Sequence, residues 1–125
     1  MIEVRPIKDL AALKDLYIKS DAVFNDSSSG VAAYDRSEIL GYCLFYYSDE
    51  SISVTALEPK NDLFLADGIL RSALHVGVEN GKNKAFYTEN APFELLDKLK
   101  FVKNTADRVL DIDKLFSSCP NCGNN

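Results

Sequence analysis

No apolar stretch of this 125-residue chain approaches the roughly 20 residues that a bilayer-crossing helix needs. The opening MIEVRPIKDL has an early acidic residue and no apolar h-region, so a secretory leader is not expected and the cytoplasm is the expected location. Cysteine is scarce. Its three copies, one in an apolar stretch and two near the C terminus, do not make the even framework of a secreted disulfide protein. Basic charge is also short: 14 Lys and Arg stand against 19 Asp and Glu, a formal net charge of −5. The deficit lies wholly in residues 1–59, with five basic and ten acidic side chains, since residues 60–125 carry nine of each. Nucleic acid asks for a basic stripe, which is missing, and is not an expected partner. An acidic half suits plain solubility or a cationic small molecule.

What is present is a globular balance, 46% hydrophobic and 26% charged, far from the composition of disorder. The length fits one core. We therefore expect a single domain over residues 1–116 and a cysteine-containing tail over residues 117–125. Ile2, Val4 and Ile7 predict a short strand ended by Pro6, which offers no ladder donor. Across residues 8–20, Leu10, Leu13, Leu16 and Tyr17 recur at helical spacing and predict an amphipathic helix. DAVFNDSSSG has turn residues without a period and reads as a surface loop.

Residues 31–34, 39–47 and 51–57 are rich in Val, Ile, Tyr and Phe and are separated by short polar turns, so an antiparallel meander is predicted. ILGYCLFYYS is almost continuously apolar, which places its strand inside the sheet with both faces covered and Cys43 packed as a small apolar residue. After Asp62, a candidate N-cap, the period becomes helical: Ala66, Leu70, Ala73, Leu74 and Gly77 share a face, and Asn80-Gly81 is a stop signal. A strand over 84–88, a helix over 93–100 and a strand over 109–112 complete the expected elements. A helix between strands of one sheet usually makes a right-handed parallel crossover, so the fold class is α+β, a central mixed sheet flanked by helices, in the order β-α-β-β-β-α-β-α-β.

That order, over residues 1–112, resembles the GNAT acyltransferase superfamily, and two local motifs add to it. Leu57-Glu58-Pro59 is similar to the step that closes the family's fourth strand before its cofactor loop, and Asn90 followed by LLDKLKF is similar to the segment near the thiol end of CoA. The resemblance implies an acetyl-CoA or other acyl-CoA donor and a small-molecule or peptide amine acceptor. It also implies cofactor contacts at Leu57, Asp67, Gly68, Ile69, Arg71 and Asn90. The family's loop holds a pyrophosphate on converging backbone N–H groups at a helix start. This chain reads NDLFLADGILRSAL there, with Gly68 the one glycine of that segment. Gly68 reads as a close backbone approach to the ligand or as a packing contact. Arg71 reads as a guanidinium substitute for lost amide donors or as a solvated helix residue.

The family's proton-donating tyrosine falls, by this register, on Leu96, and its glycine on Lys100. Glu58 is the candidate catalytic residue, a base for the acceptor amine, with a solvated strand-end carboxylate as the other reading. Tyr42, Phe45, Tyr46 and Tyr47 alternate across a strand, so they line a pocket or fill the core on both sides. His75 falls beside Arg71 and Glu79 on a polar helix face and reads as a surface histidine. Cys119-Pro120-Asn121-Cys122-Gly123 is similar to one knuckle of a zinc ribbon. A closed zinc site takes four ligands, so Cys119 and Cys122 would need a homodimer or another protein; an unstructured tail and a redox dithiol are the alternatives. The leading function is GNAT-type N-acylation. The alternatives are a GNAT-fold binding or interaction module without catalysis and a metal-dependent adaptor acting through the tail.

Overall fold

Residues 2–115 are described by a computed structural model; Cys119, Cys122 and the expected domain boundary after residue 116 lie outside the described residues. Along the chain run β1 (Ile2–Pro6), α1 (Leu10–Lys19), β2 (Ser28–Asp35), β3 (Glu38–Tyr47), β4 (Ser51–Glu58), α2 (Leu63–Glu79), β5 (Lys84–Tyr87), α3 (Phe93–Lys98), β6 (Val102–Asn104) and β7 (Val109–Leu110), followed by a 3₁₀ turn, Ile112–Leu115. The strands form one mixed sheet in the order β1-β2-β3-β4-β5-β7-β6. β4 and β5 pair in parallel, joined by the α2 crossover, as expected; β1 and β2, with α1 between them, and β5 and β7, on either side of α3, pair antiparallel instead. None of the described helices is long and apolar enough to cross a membrane.

Helix starts follow their caps. Asp9 accepts the N–H groups of Ala11 and Ala12, which sets the start of α1 at Leu10 rather than residue 8. Leu13 and Tyr17 are buried on the sheet while Leu10, in the first turn, is exposed. In α2 the predicted face is the buried one, with Ile69 added to it. Burying Leu70 and Leu74 there contributes about 1.5–3 kcal/mol each.

β3 separates two cores, because successive strand side chains point to opposite faces. Cys43 and Phe45 face α2 and α3; Tyr42 and Leu44 face α1. The predicted two-sided burial of this strand is therefore correct, and burial pushes the Cys43 thiol well above its ordinary range. On the α1 side, the Tyr17 hydroxyl lies 2.8 Å from the carbonyl oxygens of both Ser29 and Phe45 and donates to them. Desolvation raises its pKa, which keeps the phenol a donor. Tyr17→Phe leaves those carbonyls without this donor and should cost about 1–3 kcal/mol, read as a lower denaturant midpoint at constant m-value. An unchanged midpoint would show that these hydrogen bonds do not hold α1 to the sheet.

Other elements also differ from expectation, and α3 ends at Lys98 rather than at residue 100. β2 begins at Ser28, inside the expected loop, because its first residues are small and polar and show no apolar alternation. β6 was not predicted: it has three residues and two of them are exposed, so it carries no periodic signal. The strand expected over 109–112 ends at Leu110, where the 3₁₀ turn takes over.

Candidate active site

Parallel pairing between β4 and β5 runs only from Ser51 and Lys84 to Val54 and Tyr87. The Thr88 N–H still donates to the Val54 carbonyl at 2.9 Å, and there the two chains part. β4 continues to Glu58, while the chain after Tyr87 turns at residues 88–91 and enters α3. Backbone groups of residues 55–58 that face away from β3 therefore look into a wedge where no strand pairs with them, among the described residues. The register between β3 and β4 also jumps, from Phe45 opposite Val54 to Leu44 opposite Ala56. Thr55 is the extra residue of this bulge, and its hydroxyl donates to the Leu44 carbonyl at 3.2 Å.

The wedge opens into a cleft of about 610 Å³, with Leu57, Glu58 and Lys60 on one side, Asn90 on the other, and Tyr42 and Ser20 toward α1. Glu58 and Lys60 form an ion pair inside it. Ser20 and the Tyr42 hydroxyl share a hydrogen bond at 3.0 Å. Gly41 makes the corner possible. A Cβ at this position would lie 2.6 Å from the Glu58 carbonyl oxygen and 2.7 Å from the Pro59 ring. Only a residue without that atom lets β3 pass so close beneath the end of β4.

Solved structures share this architecture. Ribosomal-protein-alanine N-acetyltransferase from Brucella melitensis biovar Abortus 2308 superposes with a TM-score of 0.61 over 85% of this chain and 93% of that chain, at 13% identity. The PaiA N-acetyltransferase from Thermoplasma acidophilum, in complex with coenzyme A, gives 0.56 over 88% and 96%, at 11% identity. A GNAT family acetyltransferase from Elizabethkingia anophelis with acetyl-CoA bound gives 0.55 over 79% and 72%, at 16% identity. The chain has the GNAT fold. No protein-family model and no curated protein matches its sequence.

Within this GNAT fold, three of the sequence-predicted site residues come together: Leu57, Glu58 and Asn90 all line the cleft. Asp67, Gly68, Ile69 and Arg71 do not. The connection after β4 occupies only residues 59–62, so these four residues stand inside α2, where backbone N–H groups serve the helix's own ladder. Ile69 points into the core. Arg71 and Asp67 pair at 2.8 Å, and the Arg71 guanidinium lies 5.2 Å from the centre of the Phe101 ring. Lys114 covers the same ring, and its pKa is lowered, first by desolvation and then by Arg71. A Cβ on Gly68 would meet nothing within 4 Å, so packing does not require that glycine.

At the helix start, the Asp62 carboxylate accepts the Leu65 N–H and its carbonyl accepts the Ala66 N–H. This leaves the Leu63 and Phe64 amides without an intrahelical acceptor. The Leu63 and Phe64 side chains are exposed and do not line the cleft. Leu96 is fully buried and carries no proton to donate. Lys100 has φ of 67°, a conformation that glycine adopts at least cost, which accounts for the family's residue at that place. His75 is exposed on α2 and does not line the cleft. No group of three His, Cys, Asp or Glu placed to hold a metal occurs among the described residues.

Lys19, Ser20, Thr55 and Lys60 also line the cleft and are not among the residues expected there. Thr55 carried a visible signal, a hydroxyl in an apolar strand; Lys60 stood beside the candidate base. Ser20 had none beyond its place at a helix end.

Proposed function

We propose that the chain is a GNAT-type N-acyltransferase that moves an acetyl or other acyl group from acyl-CoA to a small-molecule or peptide amine. The observation that carries this reading is the wedge past Val54, which presents unpaired β4 backbone between Leu57 and Asn90. An extended pantetheine arm fits there, since its amides can pair with a strand edge as a further strand would. Residues 55–58 and Asn90 would hold it. The diphosphate fits less well, meeting the Leu63 and Phe64 amides together with the Asp62 carboxylate.

Acyl-CoA supplies an activated thioester; the protein supplies position and proton transfer. Glu58 takes a proton from the acceptor amine, directly or through water. A β4 amide near Leu57 donates to the thioester oxygen as negative charge develops on it. With Leu96 in place of a phenol, no residue there protonates the leaving thiolate, and positioning carries more of the catalysis.

A second reading, a GNAT-fold binding module without catalysis, is favoured by the same buried Leu96 and by Asp62 competing for the helix-start amides. A thermal melt with CoA and acetyl-CoA tests the difference. A ligand that binds the native state stabilises it by about 2.7 kcal/mol at a hundredfold excess over Kd, and we expect Tm to rise. No rise at millimolar ligand would set acyl transfer aside in favour of the binding module.

A further inference from the structure

Resting on the acyl-transfer reading, we propose that Lys60 is itself an acyl acceptor, so that the protein acylates its own cleft. A primary amine on a flexible four-carbon stem stands in the place where an acceptor amine is needed, hydrogen-bonded to the carboxylate assigned as base. Both groups line the cleft with Leu57 and Asn90. The Lys60 side chain is 59% exposed, so no packing has to be broken for its amine to turn toward a bound donor. Lys19 also lines the cleft, from the end of α1, but the carboxylate within the cleft is paired with Lys60.

The chemistry balances with acyl-CoA as the single co-reactant. Glu58 removes one proton from the Lys60 ammonium, and the freed lone pair on Nζ attacks the thioester carbonyl carbon. The new C–N bond forms, the C–S bond breaks, and its electron pair leaves on the CoA sulfur. Nitrogen sheds two protons in all: one reaches the thiolate to give free CoA, and the other passes through Glu58 to solvent. The product is an ε-N-acyl lysine. Its amide carries no charge, so the ion pair is lost and Glu58 is released for an external amine.

The test is incubation of the full chain with acetyl-CoA, followed by intact mass and peptide mapping over time. We expect one acetyl group on Lys60, gained about 10²-fold or more faster than on exposed Lys84, Lys98 and Lys103, the advantage of a placed base. The rate constant should not change with protein concentration. Lys60→Arg should abolish the fast modification, and Glu58→Gln should slow it while Lys60 remains available. Lys60 reacting no faster than the exposed lysines, in protein whose Tm rises with CoA, would overturn the proposal and leave acyl transfer to external amines standing. A rate that grows with protein concentration would overturn the intramolecular step. Absence of any CoA-induced rise in Tm would instead remove the acyl-transfer reading beneath it.

Discussion

Glu58→Gln is expected to lower the rate of amide formation by about 10²–10⁴-fold, the usual worth of a positioned general base, with the CoA-induced rise in Tm retained. Gln keeps the shape of the side chain and its hydrogen-bonding capacity but can take no proton. Glu58 stands at the end of β4, on the wall of the cleft opposite Asn90. It is cross-strand from Tyr42, so it lies on the α1 side of the sheet, away from the core that contains Leu57. That division between neighbours follows from strand alternation: one residue anchors β4, and the next turns to the side of the sheet on which α1 lies. The lost pairing with Lys60 should hardly affect folding, because both side chains are partly exposed. Steady-state kinetics at saturating acyl-CoA, together with the melt, separates the effects. An unchanged kcat/KM would remove Glu58 as the base.

Gly41→Ala should have the largest effect on stability. The added Cβ would lie 2.6 Å from the Glu58 carbonyl oxygen and 2.8 Å from Ile69 Cδ1. The first of these neighbours is backbone held in the β3–β4 ladder, so it cannot swing aside as a side-chain tip would. Over-packing of this kind reaches about 3 kcal/mol, which lowers Tm by on the order of 10 °C in a domain of this size. Relief of the clash has to push the end of β4 away from β3, and Leu57 and Glu58 move with it. Weaker CoA stabilisation should accompany the lower Tm. A variant with wild-type Tm would mean that the corner yields at little cost and that Gly41 does not set the position of the cleft wall.

Much of the fold was legible because it is written in local periods. The apolar run around Cys43 announced a strand buried on both faces, and the spacing of Ala66, Leu70, Ala73 and Leu74 announced the packed face of α2. Asp62 announced where that helix starts. Short polar strands escaped: β6 and the first residues of β2 are held by their neighbours' ladders and not by a pattern of their own. For the site, Leu57, Glu58 and Asn90 were read from a resemblance at two separated motifs, and the structure brings them to one cleft. Gly68 and Arg71 each had two readings, a ligand contact or a residue of the helix, and α2 takes both into its body.

From its residues alone the chain determined which segments pair or coil and which faces turn inward, since hydrophobic burial acts through spacing along each element. Tertiary structure alone decided where β5 leaves β4, that Thr55 bulges, how close Gly41 comes to Glu58, and that Asn90 stands across the cleft from Glu58 and Lys60. These are contacts between residues far apart in the chain, and no local period records the point at which two strands stop pairing.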